Sequence, residues 1–178
     1  MPMIDAVIPE GALRAEAEER LMKELTDLLL RAEGYDPANE TAQSVSVVFL
    51  HRPAKVYVGG KEAATPRYRI VPTVPEGQYT EEARKKLVMD VTEAVVRAVG
   101  GSFEDVAPQV WVFPTEIPDG RWGSRGLIRR ISDIHTFIVG DEQERKVGEQ
   151  RLARSRRAQA AELLEGVLDL ARKGSKAE

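Results

Sequence analysis

The chain has 178 residues, of which 42% are hydrophobic and 31% charged, and this suits one globular domain or two small units sharing a core. Its formal net charge of −3 gives no global basic field, and no apolar run approaches the roughly 20 residues that cross a bilayer, so we expect neither a nucleic-acid nor a membrane partner. Cysteine is absent, which excludes disulfides, thiolate nucleophiles and cysteine-type zinc sites. The amino terminus lacks the features of a secretory signal, so the predicted location is cytoplasmic.

The first sixty residues are predicted to form a strand, a helix and a second strand. Met3–Ile8 is short and apolar-rich and ends at the turn-forming Pro9-Glu10-Gly11. Residues 12–33 carry leucines at the spacing of an amphipathic helix, followed by a glycine stop. Ser44–Leu50 has the pattern of a buried strand, and Lys55–Val58 is predicted to extend it into a hairpin that ends at Gly59-Gly60.

The same pattern returns further along the chain. A shift of 66 residues without gaps places Pro75-Glu76-Gly77 on Pro9-Glu10-Gly11 and also aligns several glutamate, leucine, threonine and glycine positions, which indicates an internal duplication. The predicted elements of the second copy are a strand at 67–74, a helix at about 80–99 and a strand at Val110–Phe113.

Two parallel strands joined by a helix form a βαβ unit, whose crossover is expected to be right-handed. The predicted fold class is therefore α+β, with tandem βαβ units that form one four-stranded sheet covered on one face by two helices. We expect a domain at 2–138, made of units at 2–60 and 67–126. Because the second sheet face is left open, oligomerisation is expected.

The segment 139–178 is predicted to be a charged helical extension that begins near Asp141. Apolar residues near its end fall on one side of the helix, at Ala160, Leu163, Leu164, Val167, Leu168 and Ala171. We expect this stripe to dock on its own domain or on another subunit. The arginine-rich stretch at 151–157 is interpreted as a solvated helix face rather than as a nucleic-acid site.

Pro2 is the residue that points most strongly to a function, because it directly precedes a predicted strand and a P-E-G turn. Together with the repeat and the segment WVFPTEIPDGRWGSRG at 111–126, it makes residues 2–128 resemble the tautomerase superfamily. The branches that the sequence resembles are those of 4-oxalocrotonate tautomerase, malonate semialdehyde decarboxylase and cis-3-chloroacrylic acid dehalogenase. The resemblance implies that Met1 is removed and that the Pro2 amine is the catalytic base.

The residues make this chemistry plausible on physical grounds. An α-amino group titrates much nearer neutrality than a lysine, and apolar surroundings disfavour its cation further. A base that titrates near the working pH combines an available lone pair with useful proton affinity. The proline ring also fixes the direction of that lone pair. Tyr68 occupies the place of Pro2 in the second copy, so one proline base per chain is expected.

A carboxylate or enolate substrate needs cationic, hydrogen-bonding and wall residues. The predicted substrate-binding residues are Arg52, Trp111, Arg121, Trp122 and Arg125, and the further candidates are Glu40, Tyr57, Arg69 and Phe113. The only histidines are His51 and His135, and no Walker-type or dinucleotide-binding glycine motif is present. We therefore expect neither a metal nor a cofactor.

Several positions depart from the patterns of the branches. Ala12 and Trp111 stand where the oxalocrotonate branch has arginines, and Pro75 and Gln78 stand where the dehalogenase branch has them. Phe113 replaces the tyrosine that activates water in the dehalogenases, so dehalogenation is disfavoured.

The function predicted from the sequence is that of an isomerase that moves a proton on an enolisable 2-oxo or enol carboxylic acid. One alternative is decarboxylation of a β-keto acid, in which Glu40 would assist because it matches the carboxylate of the decarboxylase branch. A second alternative is a binding or assembly protein whose activity has decayed. The resemblance further implies a homotrimer, in which the hairpin near Trp122 reaches a neighbouring chain.

Overall fold

The computed structural model describes residues 2–174, without the side chain of Ala171, so the expected removal of Met1 concerns a residue outside this range. The strands are β1 (Met3–Val7), β2 (Val47–His51), β3 (Tyr57–Val58), β4 (Lys61–Glu62), β5 (Tyr68–Pro75), β6 (Val110–Val112), β7 (Thr115–Ile117), β8 (Trp122–Ser124) and β9 (Leu127–Arg129). The helices are α1 (Ala15–Ala32), α2 (Glu40–Ser44), α3 (Glu81–Val99), α4 (Phe103–Val106), α5 (Ile131–Val139) and α6 (Arg145–Gly174).

The central sheet has the strand order β2-β1-β5-β6, and β7 pairs with β5 beyond the end of β6. β1 runs parallel to β2 and antiparallel to β5, while β5 runs parallel to both β6 and β7. The tandem βαβ fold predicted from the sequence is confirmed, and the difference is that its fourth strand is split. The break falls at Phe113-Pro114, and Pro114 has no N–H with which to continue the ladder.

The two long helices pack on one face of the sheet because each presents an apolar stripe. Buried leucines of α1 and buried leucine and valine residues of α3 meet alternate strand residues, with Ile4 and Ile70 at the centre. Thr80 caps the start of α3 by accepting a hydrogen bond from the Ala83 amide at 3.1 Å. The helix ends at Gly100, whose φ of +81° suits glycine.

The opposite face of the sheet is open in the single chain. Its exposed large residues include Val47 and Phe49 on β2 and Trp111 on β6, with Phe113 just after β6, and each side chain is between 44% and 49% exposed. An apolar sheet face of this kind is typical of a surface that another molecule covers.

The second predicted strand begins later than expected. Ser44 ends α2, and β2 starts at Val47 rather than at Ser44. The reason is local, because the Asn39 side chain accepts a hydrogen bond from the Ala42 amide at 2.8 Å and starts a helical turn there.

The carboxyl-terminal part consists of the β8–β9 hairpin and two helices. The short helix α5, which was not predicted, buries Ile134 and Ile138 against Leu30 and Tyr35 of the first unit. The predicted long helix is confirmed as α6, and a short 3₁₀ turn at 142–144 precedes it.

The two halves of α6 have different surroundings. Its first half packs on the domain, where Gly148 lies against Ser132 and Leu152 lies against Gly77. In its second half, Leu163, Leu164, Val167, Leu168 and Leu170 are 55% to 72% exposed. The described members of the predicted apolar stripe are therefore not covered by residues 2–174 of their own chain. No helix within residues 2–174 combines the length and apolarity needed to cross a bilayer.

Candidate active site

Pro2 is buried at the end of the sheet where β1 begins and β5 ends. Its carbonyl accepts a hydrogen bond from the Val47 amide at 3.2 Å, which holds it beside the start of β2. Because β7 pairs with the end of β5, Ile117 lies at the same end of the sheet. Pro2, on which the functional hypothesis depends, thus lies where the ends of β1, β2, β5 and β7 come together.

Pro2 lines a cavity of about 340 Å³ that opens beside the exposed sheet face, and we call it the reaction cavity. Its other walls include Val47 and Phe49 from β2, Ile117 from β7, and Arg121 and Trp122 from the hairpin. The lining is mostly apolar and contains one cationic side chain, that of Arg121. Such a setting is typical of a small-molecule site.

The hairpin is held against the domain by Asp119. Its carboxylate accepts hydrogen bonds from the Ile131 amide at 3.0 Å and from the Arg130 guanidinium at 2.6 Å. Its own amide donates to Glu76 at 2.9 Å. These contacts position Trp122, which packs against the buried cluster around Ile134. Trp122 thereby lines the reaction cavity of its own chain, and the contact of this hairpin with a neighbouring chain stays a prediction.

Three of the predicted site residues, Pro2, Arg121 and Trp122, meet in the reaction cavity. Arg121 is exposed, and no carboxylate within residues 2–174 lies at ion-pair distance from it. Its guanidinium is therefore available to an anionic ligand at the cavity rim.

The structure places the other arginine candidates elsewhere. Arg52 follows the carboxyl end of β2, while Pro2 lies beside the start of that strand, and Arg52 forms a two-pronged ion pair with Glu18 at 2.7 and 2.9 Å. Arg69 is exposed on β5. Arg125 lines a separate, smaller cavity.

The remaining candidates also lie outside the reaction cavity. Trp111 and Phe113 lie at the open sheet face, and Tyr57 is 60% exposed on the β3–β4 hairpin. Glu40 is exposed at the first position of α2. Among residues 2–174 no group of three or more histidine, aspartate or glutamate side chains is placed to hold a metal ion.

A buried polar cluster that sequence reasoning missed lies between the first unit and the extension. Glu33, at the end of α1, accepts a hydrogen bond from Gln78 at 3.1 Å, and its second carboxylate oxygen has no partner among the described residues. Arg151 of α6 donates to the Glu33 carbonyl and to the Gln78 side chain, both at 2.9 Å. Tyr35 and His135 extend the cluster through a hydrogen bond of 3.0 Å. The hydrogen bonds that join its members span 43 to 118 residues of sequence, so no local pattern could reveal the cluster.

Burial is the main cause that raises the pKa of Glu33 from 4.5 to about 7, and Arg151 and Gln78 are among the groups that lower it. The folded state therefore retains a proton that the unfolded chain has released above pH 4.5. The free energy of unfolding should accordingly fall by about 3 kcal/mol as pH rises from 4.5 to 7, since one pKa unit corresponds to about 1.4 kcal/mol.

Glu33→Gln is expected to remove most of this pH dependence, because the amide does not titrate. Urea unfolding at several pH values between 5 and 8 measures the slope, and the exposed Glu149→Gln serves as the matched control. Equal slopes in the wild-type and Glu33→Gln chains would show that Glu33 does not retain a proton in the folded state.

Comparisons with known proteins give a consistent result at the level of structure. No family model matches the sequence, and no curated protein matches it significantly. Solved structures do match with a probability of 1.00. Pt0534 inactivated by 2-oxo-3-pentynoate is 22% identical with a TM-score of 0.57, and the match covers 70% of this chain and 93% of Pt0534.

Two other solved structures are similar to this chain to a comparable degree. Native fused 4-OT is 18% identical with a TM-score of 0.58, over 71% of this chain and 94% of its own. The macrophage migration inhibitory factor of Toxoplasma gondii is 15% identical with a TM-score of 0.56, over 71% of this chain and 99% of its own. These likenesses in structure show that the chain has the fold of the tautomerase superfamily.

Proposed function

We propose that this chain is a cofactor-independent tautomerase that moves a proton on an enolisable 2-oxo or enol carboxylic acid, with Pro2 as its amino-terminal base. The observation that carries the proposal is the position of Pro2, a buried proline on the wall of a cavity that Trp122 and Arg121 also line. The likeness in fold to proteins named fused 4-OT agrees with it.

The mechanism follows from the cavity once Met1 has been removed. Pro2 then carries a secondary amine whose ring fixes the direction of the lone pair. Apolar walls from Val47, Phe49 and Ile117 disfavour the ammonium form and keep the lone pair available. The amine takes a proton from one atom of the enol system and returns it to another, so no co-reactant is consumed. Arg121 neutralises the carboxylate and the developing enolate.

Ketonisation of phenylenolpyruvate, followed by its ultraviolet absorbance, tests the proposal. We expect turnover well above the uncatalysed rate in buffer that contains no added cofactor, and we expect it to persist in the presence of a chelator. A folded protein that begins at Pro2 but gives only the buffer rate with this and other enol acids would overturn the proposal.

Hydrolysis of 3-chloroacrylates is expected to be absent or much slower than tautomerisation. Phe113 has no hydroxyl to activate water and lies on the open sheet face. Gln78 stands at one of the two arginine positions of the dehalogenase branch and is already bonded to Glu33 and Arg151. Chloride release from either isomer at a rate comparable with tautomerisation would contradict this assignment.

Decarboxylation of a β-keto acid is not favoured by the geometry. That alternative depends on Glu40, which is exposed at the start of α2 and is not on the wall of the reaction cavity. The decayed-activity alternative receives no support from the cavity either, because Pro2, Arg121 and Trp122 remain together there.

The open sheet face supports assembly as a homotrimer, the state named for fused 4-OT structures. At roughly 25 cal/mol per Å², covering several hundred Å² of apolar surface is worth on the order of 10 kcal/mol. Sedimentation equilibrium should give about three times the monomer mass of 19.8 kDa.

Matched variants locate the interface. Trp111→Glu places a charge on the open face and should weaken the assembly, whereas Phe103→Glu replaces an exposed phenylalanine of α4 and should leave it intact. A stable monomer at micromolar concentration would contradict the trimer.

A further inference from the structure

A second cavity adjoins the reaction cavity. It measures about 80 Å³ and is lined by Arg125 and Arg129 of the hairpin and by Asp133, Ile134 and Phe137 of α5, and we call it the side cavity. Val45 and Ser124 line both cavities, so the two share a wall. A ligand that crosses these two residues would extend from Pro2 into the side cavity.

Arg125 adopts a left-handed backbone conformation that is unfavourable for residues with a side chain of this kind. It has a φ of +53° and is followed by Gly126 at +73°, so both central residues of the β8–β9 turn are left-handed. Such a two-residue turn favours asparagine and glycine, and an arginine gains nothing from it locally. Within residues 2–174, Arg125 is the one non-glycine residue with a positive φ. A side chain kept in an unfavourable backbone conformation points to a role for that side chain.

Arg125 and Arg129 bring two guanidinium groups to the side cavity. The pKa of Asp133 there is lowered mainly by its hydrogen bond from Arg145, and the charge of Arg129 also helps to lower it. The Arg125 guanidinium lies 5.8 Å from the centre of the Phe137 ring. No carboxylate of the described residues lies within ion-pair distance of Arg125 or Arg129. Asp133, the acid of this cavity, is bonded to Arg145 at 2.7 Å and to the Arg130 amide at 3.0 Å, so its oxygens already have donors.

We propose that the side cavity binds a second anionic group, a carboxylate or a phosphate, at the far end of the substrate, with Arg125 and Arg129 as its ligands. The proposal rests on the proposed function, because it assumes that the reacting end lies at Pro2. Val45, Ile134 and Phe137 form the apolar part of the wall, so the substrate is an elongated acid whose two ends are joined by an apolar spacer.

Binding of unreactive probes tests this without any need for turnover. Calorimetry would compare 3-phenylpropanoate with 3-(4-carboxyphenyl)propanoate and 3-(4-phosphonophenyl)propanoate, none of which can enolise as a 2-oxo acid. We expect at least one doubly anionic probe to bind about tenfold more tightly than 3-phenylpropanoate, since a charge-assisted bidentate contact has that order of effect. Whichever of the two binds more tightly identifies the anionic group.

Arg125→Asn is the decisive variant, because asparagine tolerates the left-handed turn and removes the charge without endangering the fold. It should abolish the preference for the doubly anionic probes, and Arg125→Lys should retain part of it. Arg154→Asn, at an exposed position of α6, is the control that should keep the preference in full. If the wild-type chain shows no preference, or if Arg125→Asn retains it, the proposal is wrong. If the preference is present but enol acids are not turned over, only the proposed function fails.

Discussion

Pro2→Ala is expected to lower kcat/KM for phenylenolpyruvate by roughly 10²-fold, the lower end of what a positioned general base contributes. Alanine leaves a primary amine at the chain end, so the loss comes from altered basicity and from a lone pair whose direction is no longer fixed by a ring. Steady-state kinetics of both proteins, each shown by intact mass to lack Met1, measure the effect.

Pro108→Ala is the matched control, because it removes an exposed proline far from the reaction cavity. It should keep wild-type kcat/KM. Unchanged rates in Pro2→Ala would place the base at another residue and would leave the buried position of Pro2 as a matter of packing alone.

Gly148→Ala is expected to lower the free energy of unfolding by about 2 kcal/mol, the range typical of overpacked contacts. A Cβ at this position would lie 2.6 Å from the Ser132 Cα and 3.0 Å from its amide nitrogen, so backbone atoms would have to move. The substitution should push α6 away from α5, and with it the Arg151 contacts to Glu33 and Gln78.

Gly166→Ala tests the same change in the same helix without a neighbour, since no heavy atom lies within 4 Å of the added Cβ. It should raise the stability by about 0.5–1 kcal/mol, because glycine is unfavourable inside a helix. Urea denaturation compares the two variants. Equal effects would show that α6 is not packed against α5 as described.

The regular elements could be predicted because their signals are local. Leucine spacing predicted α1, and the repeat predicted α3 and the second pair of strands. Short elements were missed or misplaced where side-chain contacts decided them, as with the Asn39 cap that replaces the start of the predicted strand by α2. The nine residues of α5 are too few for a distinct periodic signal, and the helix is held by packing on Leu30 and Tyr35.

The candidate site could likewise be predicted only in part from the sequence. Pro2, Trp122 and Arg121 were predicted from a resemblance over residues 2–128, and they meet in one cavity. Arg52 was a candidate because it lies at the end of a predicted strand. Since β1 and β2 are parallel, Pro2 lies beside the start of β2 and Arg52 lies after its end. The five residues of β2, at about 3.3 Å each, therefore separate the two. The Glu33 cluster depends on Gln78, His135 and Arg151, and only tertiary structure brings these residues together.

The measurement that tests the central claim most directly is covalent labelling by 2-oxo-3-pentynoate, the compound that inactivates Pt0534. The Pro2 nitrogen would add to the alkyne carbon remote from the ketone, and the neighbouring carbon would take up the proton, so nothing leaves the reagent. We predict that peptide mass spectrometry finds Met1 absent and one adduct per chain on Pro2, formed in step with the loss of tautomerase activity. Active protein that retains Met1, or complete inactivation with the adduct on another residue, would contradict the account.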